Sequence, residues 1–159
     1  MFCCRSIYLR RLRFKEATDN KVTLNDDDPL AVEALIHYLY NFEYDTINDR
    51  QTDVPQIVLD VRVWVIADKY FVEPLKELAA EYFEGRNCNE WMEPDFAKAI
   101  VEVYTTTLEG CALRESIIFT VRDCPSLLDP KEGHTDFLKV LRETPGLGAD
   151  ILIQMHTKN

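Results

Sequence analysis

The chain has 159 residues, 47% of them hydrophobic, and a net charge of −10 at pH 7. That much apolar material builds one good core or two small ones, which excludes a disordered or fibrous chain. Charges interrupt every apolar run well short of the roughly 20 residues a bilayer requires, and an acidic total disfavours general binding to phosphate backbones.

The acidity is uneven. Residues 1–15 hold Arg5, Arg10, Arg11, Arg13 and Lys15 with no acid, a charge of +5, so the rest of the chain stands at −15. Two readings are open for this segment: an amphipathic helix with its arginines in water, or the cleaved leader of a small organellar, mitochondrial protein. Five cysteines, an odd count without an export signal or an Asn-x-Ser/Thr acceptor, fit a reducing cytoplasmic or nuclear compartment.

Next in the chain, Val22 and Leu24 alternate with polar neighbours and predict a short, half-buried strand. Asp28 and Pro29 then open a helix, the aspartate accepting from first-turn amides and the proline having no amide to leave unpaired. Val32, Leu35, Ile36, Leu39 and Tyr40 are expected to line its core face. The acids at 26–28 suit the positive end of that helix and read as capping rather than as metal ligands.

Residues 41–55 are polar and turn-rich, hence a loop. In 57–70 the β-branched residues favour a strand, while length and the absence of breakers favour a helix. Being apolar nearly all round, the segment is read as the buried central helix. Residues 72–85 follow as a helix with Pro74 near its start, Leu75, Leu78, Ala79, Tyr82 and Phe83 inward and Gly85 as its stop. A polar connector at 86–93 then marks a boundary between modules. Beyond it, helices are predicted around Phe96, Ile100 and Val103 and around Leu113, Ile117 and Val121. Thr135 is expected to cap a short helix through Phe137, Leu138 and Leu141. Thr144 and Pro145 open a last one with Leu147, Ile151, Leu152 and Met155.

Nothing in the sequence argues for a catalyst. His37, His134 and His156 lack partners at ligand spacing, Cys3 and Cys4 are adjacent, and Cys88, Cys111 and Cys124 are far apart, so neither zinc nor any other cofactor is expected. His37 reads as a structural, partly buried histidine. No Gly-x-Ser-x-Gly elbow or phosphate loop occurs. Asp68, Lys69 and Tyr70 place an acid, a base and a phenol in one turn, and they read as a charge pair closing the central helix.

The order of these features resembles a BTB/POZ domain of the divergent form abundant in fungi. The resemblance runs through Cys3, Arg5 and Ser6, then Phe14, Lys15 and Glu16, the strand at 22–24, Asp28 and Pro29, and Tyr38, Leu39 and Tyr40. It continues in Ala67 to Tyr70 and in the leucine-rich helix from Leu75 to Phe83. It implies an α+β, mostly helical architecture. Residues 1–85 would form an incomplete BTB/POZ domain, a helical cluster with a remnant of a small sheet, lacking the family's N-terminal hairpin. Residues 86–159 would be a C-terminal antiparallel helical extension.

By function, the resemblance implies a non-enzymatic protein–protein interaction module, and among the family's roles a substrate adaptor for a cullin-type ubiquitin ligase. The expected partners are a cullin scaffold or another BTB chain, with no nucleic acid and no membrane. Homodimerisation stands open, because the family's usual N-terminal interface would be missing. Phe14, Lys15 and Glu16 match the family's apolar-x-glutamate contact. Either Phe14 fills a groove on the scaffold while Glu16 accepts charged hydrogen bonds, or Phe14 is core and Glu16 is solvated.

Overall fold

A computed structural model of the chain describes residues 26–44, 53–90 and 94–156, with the side chains of 88–90 excepted. The partner-binding residues expected from the resemblance, Phe14, Lys15 and Glu16, lie outside the described residues, as does the strand expected at 22–24. The described residues form seven α-helices and one 3₁₀ turn and contain no strand, so the mostly helical character holds.

Helix α1, Pro29–Asn41, begins as its sequence dictates. Asp28 is the N-cap, its Oδ1 accepting from the Ala31 amide at 3.0 Å, and Pro29 follows at the first helical position. Its core face is the expected one only in part: Leu35 is buried and Val32 packs half-buried against the core, but the rest of the face is turned. Ala31, Ala34 and Leu35 are buried, whereas Ile36, Leu39 and Tyr40 are 51, 40 and 71% exposed. Two apolar stripes share this helix, and the one containing two alanines lets α1 approach the bulky central helix closely. Pairing of Asp27 and Asp28 with side chains of that helix then sets the rotation.

Helix α2, Gln56–Lys69, is the axis of the core, with nine residues from Ile57 to Ala67 buried on all sides. It packs against α1, α3 and α4. Length has overridden the β-branched preference, since interior helices need no polar face. Asp60 is fully buried on it and is held by the Tyr44 hydroxyl, which donates at 2.9 Å, and by Arg86 Nε at 2.7 Å. This charged cluster ties the segment after α1 to both α2 and α3.

A tight turn leads to α3, Glu73–Glu90. Its Leu75, Ala79, Phe83 and Asn87 are all fully buried at intervals of four, a single row against the core. Gly85 does not stop it. The helix continues for five more residues, and within that turn Asn87 Nδ2 donates to the Ser116 carbonyl and hydroxyl at 3.1 and 3.0 Å. Those bonds outweigh the glycine's entropic cost of about 1 kcal/mol. The connector expected from 86 is therefore helical as far as 90.

Helices α4, Pro94–Thr106, and α5, Ala112–Asp123, bury the predicted rows Phe96, Ile100, Val103 and Leu113, Ile117, Val121. The threonines ending α4 turn their hydroxyls back on the chain: Thr106 donates to the Glu102 carbonyl and Thr107 to the Val103 carbonyl, both at 2.7 Å. After a 3₁₀ turn, Pro125–Leu128, come α6, Thr135–Glu143, and α7, Pro145–His156. Thr135 is already helical. His134 precedes it as N-cap without a side-chain cap bond, so the expected threonine cap is not formed. The ring of Phe96 lies parallel to that of Phe137, centroids 6.4 Å apart, and fastens α6 to α4. On α7 only Leu147 and Ile151 are buried, and Leu152 and Met155, expected inward, are 63 and 53% exposed. No described helix is long and apolar enough to cross a membrane.

Candidate functional site

Where α1 begins, a cleft of about 330 Å³ opens between α1, α2 and α4, lined among others by Asp26, Asp27, Asp28, Arg62, Lys69 and Glu102. Its charged groups are joined in two chains. Asp28 Oδ2 accepts from Arg62 Nη1 at 3.0 Å, and Arg62 Nε donates to Glu102 Oε1 at 3.0 Å, so one guanidinium spans α1, α2 and α4. Asp27, 9% exposed at its side chain, accepts from Lys69 Nζ at 2.6 Å and from the Tyr70 hydroxyl at 2.7 Å.

Burial works against the Asp27 carboxylate, but the Lys69 and Tyr70 hydrogen bonds with the lysine's charge outweigh it and hold the group below its ordinary range. Burial and the Asp27 bond raise Tyr70 correspondingly. The charge pair expected from Asp68, Lys69 and Tyr70 is thus tertiary. Lys69 and Tyr70 reach Asp27, and Asp68 reaches forward to Lys76 Nζ at 2.6 Å. Of the three consecutive aspartates, only Asp28 caps.

A second cleft, about 360 Å³, lies between α2, α3 and the turn joining α4 to α5. Trp64 forms part of its wall, and the Lys76 ammonium stands 4.8 Å above the indole centroid. Glu73, Glu77 and Glu109 line the same space together with Cys111. The bond from Lys76 to Asp68 raises the lysine's pKa and keeps it charged. The Cys111 thiol is free and donates to Thr107 Oγ1 at 3.2 Å.

Asp27, Asp28, Arg62 and Lys69 hold helices together, and His37 Nδ1 lies 2.7 Å from the Glu43 carbonyl oxygen, a structural bond across the end of α1. No group of three or more His, Cys, Asp or Glu side chains able to hold a metal ion stands together among the described residues. The sequence hid the second cleft, since its wall comes from three elements distant in the chain; the nearest signal was the spacing of acids along α3. Set against known protein families, curated proteins and solved structures, the chain matches none.

Proposed function

We propose that the chain is a non-enzymatic protein–protein interaction module of the BTB/POZ type, acting in the cytoplasm or nucleus as an adaptor that presents other proteins to a cullin-type scaffold. The observation that carries the reading is the apolar surface left on two helices: Ile36 on α1 and Leu152 with Met155 on α7 are each more than half exposed. Leu152 and Met155 stand one turn apart on α7, the spacing at which a helix offers a partner an apolar stripe. Within the reading, residues 1–85 are the BTB/POZ-like part, and Phe14, Lys15 and Glu16 make the scaffold contact.

The test is calorimetric titration of the purified chain with the N-terminal fragment of a cullin and with a separate BTB domain. Saturable binding to either supports the reading. Glu16→Lys is expected to weaken scaffold binding by on the order of 2 kcal/mol, about 30-fold, while circular dichroism stays unchanged. A folded chain that binds neither protein overturns the proposal.

A further inference from the structure

We propose that the Trp64 cleft receives a basic amphipathic segment of a partner protein, its lysine or arginine side chains entering among Glu73, Glu77 and Glu109 while its apolar side chains cover Phe71 and Leu108. This deepens and rests on the interaction-module reading, though not on the BTB/POZ resemblance, since it concerns a different surface from Phe14, Lys15 and Glu16.

Three observations carry it. The cleft already holds a cation, for Lys76 lies over the indole at 4.8 Å, so the ring face and the surrounding carboxylates accept an ammonium. The charge there is in excess. Three glutamates line the space against that one lysine, which is engaged by Asp68 at 2.6 Å and Glu73 at 3.9 Å. Among the described residues Glu77 and Glu109 have no ion-pair partner, and both are exposed.

Finally, the two turns bounding the cleft each raise a large apolar side chain into water. Phe71, two residues before Glu73, is 64% exposed, and Leu108, next to Glu109, is 85% exposed. Phe71 does so at φ 57°, a left-handed conformation that glycine adopts without penalty and phenylalanine does not. An acidic slot with an exposed apolar side chain on each adjoining turn is complementary in charge and in polarity to a helix carrying lysines on one face and leucines beside them.

The probe is a synthetic helical peptide built only of leucine and lysine, with a leucine–glutamate peptide as its control. In a Trp91→Phe background Trp64 is the sole indole, and its emission is expected to change saturably with the lysine peptide and not with the control. The triple variant Glu73→Gln, Glu77→Gln, Glu109→Gln should bind at least about tenfold more weakly. A second triple, Glu81→Gln, Glu84→Gln, Glu115→Gln, removes the same charge elsewhere and should bind like the parent. Lys76→Met, which removes the resident positive charge from the cleft, should tighten binding.

No saturable change at Trp64, or equal weakening by both triples, overturns the proposal, the latter by reducing the attraction to unspecific charge. Dissociation of a self-associated chain by the peptide would make a second copy the occupant and likewise overturn it. If the cullin fragment binds while the peptide does not, this proposal falls and the interaction module stands.

Discussion

Phe71 sits where helix ends ordinarily place glycine. Val72 N–H donates to the Ala67 carbonyl at 2.8 Å and Phe71 N–H to that of Asp68 at 3.2 Å, a Schellman pair that requires the left-handed residue between them. With the ring 64% exposed, little packing compensates for the backbone. Phe71→Gly is therefore expected to stabilise the chain by about 1 kcal/mol, read as a higher urea midpoint at unchanged slope. A lower midpoint would show that contacts of the ring outweigh the conformation. Tyr44 poses the opposite case. Fully buried, it donates to the equally buried Asp60, and Tyr44→Phe should cost about 2 kcal/mol through loss of a hydrogen bond to a charged group. Burial first, then the Asp60 charge and bond, raise the Tyr44 pKa far above its ordinary value of 10.0. The folded state thus keeps this proton after the unfolded chain has released it. Stability contributed by Tyr44 is whole below pH 10 and declines as pH rises beyond it, a decline that unfolding measurements on Tyr44→Phe should find shallower.

At the scale of elements, the start of α1 shows what a few side chains decide. Asp28 caps the helix through Oδ1 and meets Arg62 through Oδ2, while Arg62 retains Glu102 if the aspartate is removed. Asp28→Ala is expected to cost about 1.5 kcal/mol and Asp28→Asn, which keeps the capping oxygen, about half of that. Equal losses from the two would assign the effect to charge rather than to the cap. This junction was also where the sequence was most legible. Aspartate followed by proline announced the helix start, all-round apolarity announced α2, and the intervals of three and four placed α4 and α5. What stayed hidden depended on partners. Nothing local told which of two apolar stripes on α1 would face inward, because the choice rests on alanine's small size against α2 and on ion pairs across some 40 residues of sequence. The end of α3 was hidden for the same reason, since Gly85 weakens a helix locally while Asn87 secures it through Ser116. Of the two clefts, the sequence showed a charge pair at Asp68, Lys69 and Tyr70 but neither Asp27 nor the Trp64 wall.

For the whole molecule, charge and apolar surface oppose one another. A net charge of −10 repels a second copy over distances comparable to the Debye length, about 10 Å at 0.1 M salt and about 3 Å at 1 M. The exposed side chains of Ile36, Leu152 and Met155 attract by a force that salt does not screen. Light scattering on a sizing column is therefore expected to give a mass near 18.5 kDa in dilute buffer and an apparent mass that increases as salt is added. Leu152→Lys with Met155→Lys should suppress that increase without lowering the thermal midpoint, because both side chains are already largely in water. Association that instead weakens with salt would mean that copies meet through ion pairs, the acidic surface of one finding the +5 charge of residues 1–15 of another. The direction of the salt dependence thus decides which surface of the chain is the adhesive one, and with it which face is left for other partners.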